Sequence, residues 1–194
     1  SISGLGIEPV ITTATETSGK ISFEGVARDS GYAILNRDST RQVNAAALDD
    51  RLSVHSVDSP AIVLAGPGVS VLVRDGTYSV GIGCRRGIRK EEVATAVMTC
   101  LSELSIEKDE VMIYSTTDKK AGEAGLMAGI QMLGGVLLFL DDKTVSAFPA
   151  PSTSGASRIG LHGVAEPCAL ASSKKKELVM PKHVYGRVTI AVAQ

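Results

Sequence analysis

The second half of the chain alternates between short apolar segments and longer amphipathic ones. TYSVGIG, VMIYST and VLLFL are typical of buried strands, KEEVATAVMTCLSEL, GEAGLMAGIQML and VAEPCALAS have the apolar spacing of helices, and GRVTIAVA closes the chain as a strand. Strands that alternate with helices of about three turns are joined by right-handed crossovers, which bring the strands into one sheet and the helices onto its faces. We therefore expect an α/β fold, a three-layer sandwich with a mainly parallel or mixed sheet. In its second helix, the predicted apolar stripe is Leu126, Met127, Ile130 and Leu133.

The first part of the chain predicts a smaller α/β segment ahead of this sandwich. IEPVITTATE suits a strand, SFEGVARDSGYAIL a helix followed by a short strand, and residues 53–76 carry prolines and glycines between short apolar runs that can pair as strands. We expect an N-terminal α/β region at residues 1–52, a linker or middle region at residues 53–76, and the main α/β domain at residues 77–194.

The composition excludes several classes of protein. The formal net charge is −1, so the surface as a whole does not attract nucleic acid or anionic membranes, and no apolar run approaches the roughly 18 residues that cross a bilayer. The three cysteines and three histidines are scattered, without the spacing of a zinc or redox motif. We expect a soluble, cytoplasmic protein that holds no metal and binds anions only locally.

Three loops follow predicted strands at the edge where open α/β sheets bind ligands. They are GCRRG at residues 83–87, TTDKKAGEAG at residues 116–125, and the segment 146–163. In the first loop, glycines allow a sharp turn, and Arg85 and Arg86 supply forked donors for a carboxylate or a phosphate. A glycine turn whose arginines face water is the structural alternative.

The first loop leaves two chemical alternatives open. Its glycines fall at positions 81, 83 and 87, which matches neither common nucleotide-binding spacing, so a phosphate loop stays an alternative rather than the prediction. Cys84 would be activated as a nucleophile by the neighbouring arginines and a helix start, although no histidine lies near it in the sequence. A buried, unreactive Cys84 is the simpler interpretation.

The other two loops contain candidates for acid–base chemistry and for binding. Asp118, Lys120 and Glu123 lie in a strand-to-helix turn, where a carboxylate can move a proton and a lysine can stabilise negative charge. Glu123 would equally stabilise the helix by its position at the positive end of the dipole. In the third loop, Ser152 and Arg158 can bind a polar or anionic ligand, and a mobile loop is the alternative.

Several of these segments occur together in an order that is typical of one family. GIGCRRG, DKKAGEAGL, Pro151 with Ser152, GVAEPCALA and GRVTIAVA, spread over residues 78–194, resemble the C-terminal domain of the CbiG/CobE family of cobalamin biosynthesis. EPVITTATETSGK followed by FEGVARDSGYAILN is similar to the end of the CbiG N-terminal domain. The resemblance implies that residues 1–52 are a remnant of that domain, and we expect its start to be missing.

The resemblance also implies an activity in vitamin B12 biosynthesis. It is that of a cobalt-precorrin-5A hydrolase acting on a carbon–carbon bond: water opens a δ-lactone of the macrocycle, and acetaldehyde leaves to give cobalt-precorrin-5B. The cobalt is carried by the substrate, so no cofactor is expected. The expected partners are the tetrapyrrole substrate, other enzymes of the pathway and, as an option, a second copy of the chain in a homodimer, with neither nucleic acid nor membrane.

Residue roles in this reaction are predicted from residue type and loop position. Glu123 or Asp118 would direct water or assist ring opening, and Lys120 would stabilise the oxyanion. The residues predicted to bind the substrate are Gly83, Cys84, Arg85, Arg86, Gly87, Ser152, Arg158, Thr12 and Thr13. The alternative to a hydrolase is a CobE-like module that binds a tetrapyrrole intermediate without hydrolysing it.

Overall fold

The computed structural model describes residues 76–152 and 163–194 and, before them, the backbone of four strands. The chain divides into two compact units, Ser1–Asp75 and Gly76–Gln194. The predicted strand and helix between residues 6 and 31 lie outside the described residues. So do three of the predicted binding residues, Thr12, Thr13 and Arg158.

The described part of the first unit is an antiparallel sheet. Its strands are β1 (Tyr32–Ile34), β2 (Ser53–Val57), β3 (Ala61–Ala65) and β4 (Val69–Arg74), in the order β1-β4-β3-β2. In the sequence, the short apolar runs are separated by proline and glycine, which end strands because they disturb the ladder of backbone hydrogen bonds. The predicted short strand in YAIL and the pairing of strands within residues 53–76 are confirmed.

The second unit is an α/β domain built on a five-stranded mixed sheet. Its strands are β5 (Tyr78–Cys84), β6 (Val111–Thr117), β7 (Leu137–Leu140), β8 (Leu178–Tyr185) and β9 (Val188–Ala193), and its helices are α1 (Lys90–Glu103), α2 (Ala124–Met132), α3 (Asp142–Ser146) and α4 (Ala165–Ser172). The strand order is β7-β6-β5-β9-β8, in which β5, β6 and β7 are parallel and β9 is antiparallel to both of its neighbours. The predicted α/β fold with a mixed sheet is confirmed.

Helices cover both faces of this sheet because side chains along a strand alternate between its faces. Val80 of β5 is fully buried in one cluster with Val97 of α1 and Leu126 of α2. Its neighbour Ser79 faces the opposite way, where its hydroxyl oxygen lies 2.6 Å from that of Ser172 on α4. The domain therefore has the three layers predicted. Full burial of each large aliphatic side chain contributes about 1.5–3 kcal/mol to holding them together.

Two glycines let α2 pack closely against the start of α1. A Cβ atom built on Gly125 would overlap the backbone oxygen of Ile88, and one built on Gly129 would lie 2.6 Å from the Cβ atom of Val93. Residues four apart lie on the same face of a helix, so both glycines face α1. The close packing brings the first turn of α2 against the loop that follows β5.

Two local features differ from the expectation. Met127 was predicted as part of the apolar stripe of α2, but 39% of its surface is exposed, because the side of α2 that packs inward carries Leu126, Gly129 and Ile130. The edge strand β8 has no predicted counterpart, since its sequence LVMPKHVY interrupts the apolar pattern with proline, lysine and histidine. An edge strand tolerates such residues because its outer side has no ladder to complete.

Candidate functional site

The carboxyl ends of β5, β6 and β7 form one edge of the sheet, the position at which open α/β sheets bind ligands. β5 ends at Cys84 and β6 at Thr117. Because β9 runs antiparallel to β5, it begins at the same edge, with Val188 paired to Cys84. The two-residue turn between β8 and β9, Gly186 and Arg187, therefore lies beside the loops that follow the parallel strands.

A hydrogen bond joins the first two of the predicted loops. The backbone N–H of Gly87 donates to Oε2 of Glu123 over 2.9 Å, and Nζ of Lys120 lies 3.8 Å from the other carboxylate oxygen, Oε1. The side chains of Lys120 and Glu123 are only 19% and 15% exposed. Glu123 is the N-cap residue of α2, so the packing of Gly125 on Ile88 sets its position beside the loop. A carboxylate and an ammonium group thus meet where water has little access.

Asp118 has a more open environment than Glu123. It begins a one-turn 3₁₀ helix directly after β6 and is exposed. Its Oδ1 accepts a hydrogen bond of 3.3 Å from the hydroxyl of Thr117. The next residue, Lys119, pairs with Asp142 of α3 at 2.6 Å. Of the two carboxylates predicted for acid–base chemistry, Glu123 is the one shielded from water and held by a second loop.

The arginine loop, residues 85–87, exposes both of its arginines. Within residues 76–152 and 163–194, neither the guanidinium of Arg85 nor that of Arg86 has a hydrogen-bond or ion-pair partner. Gly87 has a φ of +66°, a left-handed conformation that favours glycine. The N–H groups of Arg85 and Gly87 are already bound, by the carbonyl of Arg187 at 3.1 Å and by Glu123. A phosphate bound at this loop would lie next to the negative carboxylate of Glu123 and would find the N–H groups of Arg85 and Gly87 already occupied. The loop is therefore poorly suited to bind a nucleotide.

Arg187, which was not among the predicted site residues, contacts this loop. Its Nη2 donates to the carbonyl of Arg86 over 2.7 Å, and its Nη1 donates to that of Gly87 over 3.5 Å. The same Nη1 lies 3.6 Å from Oε2 of Glu92, an oxygen to which Arg89 Nε also donates at 3.2 Å. The available signal was a glycine before Arg187, typical of a hairpin turn, but it is informative only if β8 is recognised as a strand.

Cys84 ends β5 beside these charges and is half-buried, and Gly83 before it is buried within the strand. Burial raises the pKa of the Cys84 thiol, whereas the positive charges of Lys120 and Arg187 act to lower it and Glu123 acts to raise it. The net effect is a raised pKa. Cys84 is therefore mainly a neutral thiol at physiological pH, and its interpretation as an activated nucleophile is not supported.

Ser152 is anchored by a buried carboxylate on the α4 side of the sheet. Its backbone N–H and its hydroxyl donate to Oε2 and Oε1 of Glu166 at 3.1 and 2.6 Å. The backbone N–H of Lys182, at an irregularity in β8, donates to Oε1 at 3.0 Å. Glu166 is 1% exposed; burial acts to raise its pKa, but these hydrogen bonds outweigh burial and the pKa is lowered. Both donors of Ser152 are thus used inside the protein.

A groove of about 370 Å³ opens beside the arginine loop. It lies between α1 and the turn that precedes β9, and its lining includes Arg187, Arg89 and Glu92, with Thr95, Thr99 and Tyr185 further along. Through Arg187 the groove borders the carbonyl groups of the loop. Arg85 and Arg86 do not line the groove themselves, so Arg187 is the residue that connects it to the arginine loop.

Two absences hold for the part of the chain that the structure describes. No group of three or more histidine, cysteine, aspartate and glutamate side chains there could hold a metal ion. No helix there has the length and apolar character to span a membrane.

Comparison with known families identifies the second unit. Residues 78–193 match the family model described as Cobalamin synthesis G C-terminus, which is more than half of the chain. All the residues of the edge site described above, from Cys84 to Arg187, lie inside this match.

Individual relatives agree with the family match. The chain is 30% identical over 125 residues to a cobalt-precorrin-5A hydrolase of Priestia megaterium, and the alignment covers 63% of this chain and 33% of that protein. It is 28% identical over 119 residues to protein CobE of Sinorhizobium sp, covering 59% and 77% of the two chains. The crystal structure of CobE, a protein from the cobalamin biosynthetic pathway, superposes with a TM-score of 0.52 at 26% identity, covering 60% of this chain and 88% of that one.

Proposed function

Because the chain belongs to the Cobalamin synthesis G C-terminus family, a family of cobalamin biosynthesis, we propose that it acts on a cobalt-containing tetrapyrrole lactone. The proposed reaction is the hydrolysis of the δ-lactone of cobalt-precorrin-5A to cobalt-precorrin-5B and acetaldehyde. A relative from Priestia megaterium carries the name of this hydrolase. The chain spans about a third of that relative's length, so the proposal concerns what this domain contributes to the reaction.

The proposed reaction consumes one water molecule and breaks two bonds of the substrate. Water adds to the lactone carbonyl and the acyl–oxygen bond breaks, which forms a carboxylate and a hydroxyl group. The carbon that bears this hydroxyl then leaves as acetaldehyde: its bond to the macrocycle breaks, and the electron pair passes into the conjugated ring. The hydroxyl proton is removed and a ring carbon takes up a proton. Such a reaction needs a base, and a positive charge near the oxyanion.

The pair of Glu123 and Lys120 is the observation that carries the proposal. We assign Glu123 as the base and Lys120 as the group that stabilises the oxyanion. One carboxylate oxygen of Glu123 is held by the N–H of Gly87 at 2.9 Å, and the other lies 3.8 Å from Lys120 Nζ. A shielded carboxylate held in this way keeps a fixed orientation for proton transfer. Asp118 is exposed and lacks these contacts, which makes it the less suitable base.

Arg85 and Arg86 are proposed to bind carboxylate side chains of the macrocycle. Guanidinium groups form paired hydrogen bonds with carboxylates, and both arginines are exposed on a loop whose last residue contacts the proposed base. Binding of two carboxylates would hold the lactone close to Glu123 and Lys120. In this proposal the cobalt arrives with the substrate, and the chain supplies no metal of its own.

A second candidate is tetrapyrrole binding without hydrolysis. Length favours it: the chain matches 77% of protein CobE but only 33% of the hydrolase. A domain of this size therefore makes up most of another protein of the same pathway. Under this candidate the arginine loop binds the macrocycle, and Glu123 only fixes the loop.

Acetaldehyde release distinguishes the two candidates. The full chain would be incubated anaerobically with the cobalt lactone, with acetaldehyde measured by a coupled reductase and binding by the visible absorbance of the macrocycle. We expect release by the wild type and a loss of at least about 100-fold in Glu123→Gln, because an amide cannot accept the proton. Asp118→Asn is the matched control, since it removes a carboxylate of the same loop that lacks the contacts to Gly87 and Lys120.

Each result has a defined meaning. Full turnover in Glu123→Gln together with a loss in Asp118→Asn would transfer the role of base to Asp118. If the wild type binds the lactone but releases no acetaldehyde, the second candidate, tetrapyrrole binding without hydrolysis, is supported. A chain that neither binds nor releases acetaldehyde would contradict both candidates.

A further inference from the structure

We propose that Arg187 is the positioning residue of the arginine loop and fixes Arg85 and Arg86 in the arrangement that binds substrate carboxylates. This inference rests on the proposed function of the loop. It concerns a residue on a different strand pair, about 100 positions further along the chain.

Arg187 binds three backbone groups of the loop. Its carbonyl accepts the N–H of Arg85 at 3.1 Å, Nη2 donates to the carbonyl of Arg86 at 2.7 Å, and Nη1 donates to that of Gly87 at 3.5 Å. Glu123 binds a fourth group, the N–H of Gly87. One residue therefore holds the backbone on both sides of the two exposed arginines. Without such contacts an exposed glycine-containing loop would sample many conformations.

The strand ladder and an ion pair in turn fix Arg187. Its turn is anchored by the pairing of Cys84 with Val188, and Gly186 takes a φ of +62°, which suits the first position of a two-residue hairpin turn. The guanidinium also pairs with Glu92 in the first turn of α1 at 3.6 Å. The side chain of Arg187 is 40% exposed, but both of its Nη groups are bound by the protein, so the role inferred for it is to act through Arg85 and Arg86.

Arg89 provides a matched control for the loss of charge. It pairs with the same Oε2 of Glu92 at 3.2 Å and carries the same charge, but the hydrogen bonds of its side chain go to Glu92 and not to the carbonyls of the loop. Arg187→Ala and Arg89→Ala therefore remove the same charge from the same cluster. Only the first removes hydrogen bonds to the backbone of Arg86 and Gly87.

Two measurements on the full chain test the inference. The first is amide hydrogen exchange of peptides that contain residues 85–87, which needs no ligand; we expect exchange at least about tenfold faster in Arg187→Ala than in the wild type or Arg89→Ala. The second is the dissociation constant for the cobalt lactone, followed by visible absorbance. We expect it to rise about tenfold in Arg187→Ala, to rise less in Arg187→Lys, and to change little in Arg89→Ala.

A combined variant separates positioning from direct contact. If Arg187 acts through Arg85 and Arg86, adding Arg187→Ala to the double variant Arg85→Ala with Arg86→Ala weakens binding hardly further, because the loss is shared. Additive losses of binding affinity would show that Arg187 contacts the substrate directly, and this would overturn the inference. Amide hydrogen exchange in Arg187→Ala that is as slow as in the wild type would overturn it as well. If the wild type binds no lactone, the proposed function fails, while the exchange comparison still decides whether Arg187 holds the loop.

Discussion

Gly125 lies against the backbone oxygen of Ile88 so closely that a Cβ atom on Gly125 would overlap that oxygen. This contact joins the first turn of α2 to the segment between the arginine loop and α1. It is also the reason that Glu123, two residues before Gly125, can accept the N–H of Gly87. The proposed base and the arginine loop are therefore assembled by the absence of a side chain.

Gly125→Ala is expected to destabilise the domain and loosen the site. The added methyl group would push α2 away from Ile88, at a cost of about 1–3 kcal/mol in the free energy of unfolding. Urea denaturation measures this cost. Gly122→Ala is the matched control: it lies three residues earlier, and a Cβ there meets nothing within 4 Å. Its stability should be unchanged or raised by up to about 1 kcal/mol. Equal losses in the two variants would refute the packing argument.

Glu166→Gln is expected to lower stability in a pH-dependent way. The carboxylate accepts three hydrogen bonds from Ser152 and Lys182, and a carboxamide would turn an N–H group toward one of these donors. We expect a loss of about 1–3 kcal/mol near pH 7. The pKa of Glu166 is lowered in the folded state relative to its usual 4.5. The stabilisation that the carboxylate provides is therefore fully present above the unfolded-state pKa of 4.5, and it is lost as the pH falls through the lower pKa of the folded state.

Denaturant unfolding across pH 7 to about pH 3 measures this dependence. The difference between wild type and Glu166→Gln should be constant near neutrality and should shrink below the unfolded-state pKa. Glu91→Gln, at an exposed position in the first turn of α1, serves as the control and should change stability by about 0.5 kcal/mol or less at pH 7. A difference that does not shrink in acid would contradict the role of the charge.

Ser172→Ala is expected to destabilise the layer between α4 and the sheet. The hydroxyl oxygen of Ser172 lies 2.6 Å from that of Ser79, 2.9 Å from that of Ser115 and 2.7 Å from the carbonyl of Cys168, and all of these groups are buried. Its removal leaves buried hydroxyls short of a partner, at a cost of about 1–3 kcal/mol. Thermal unfolding against Ser102→Ala, an exposed serine of α1, measures the cost. A loss no larger than that of the control would mean that the network stabilises little.

The sequence predicts the parts of this domain whose pattern is set by burial. Strands β5, β6, β7 and β9 are almost wholly buried and read as apolar runs, and α1 has apolar residues at regular helical spacing. The edge strand β8 is buried on one side at most, so its composition gives no such signal. Prediction therefore succeeds where neighbours on both faces constrain the residue type.

The site is less predictable than the fold because it depends on contacts between distant residues. The loops that contain Arg85, Arg86 and Glu123 could be placed at one sheet edge from the alternation of strands and helices. The bond from Gly87 to Glu123 spans 36 positions, and Arg187 lies 101 positions from Arg86. These contacts depend on the packing of α2 against the start of α1 and on strand β8, which the apolar pattern of the sequence does not indicate. The roles predicted for these residues stay predictions.

Cys84 provides a chemical reporter of the charges around the proposed site. It is half-buried, whereas Cys100 and Cys168 are buried, and burial raises their thiol pKa values to about 11 and about 12. Iodoacetamide should therefore modify Cys84 before the other two cysteines. Because burial raises the pKa of Cys84 as well, the reaction at neutral pH should be slower than that of an unhindered cysteine, and it should become faster as the pH rises. Mass spectrometry of the labelled peptides, with Cys84→Ser as the control, identifies the thiol that reacts.

The apparent pKa of Cys84 should shift in opposite directions in two variants of the proposed catalytic pair. Lys120 lowers the thiol pKa and Glu123 raises it, so Lys120→Met should slow labelling at a given pH and Glu123→Gln should accelerate it. Lys119→Met is the matched control, since Lys119 pairs with Asp142 and does not act on this thiol. Shifts of the same sign in both variants would mean that general loosening governs the reactivity. Opposite shifts, with no change in the control, would show that both charges of the proposed pair lie near Cys84 in solution, as they do in the structure.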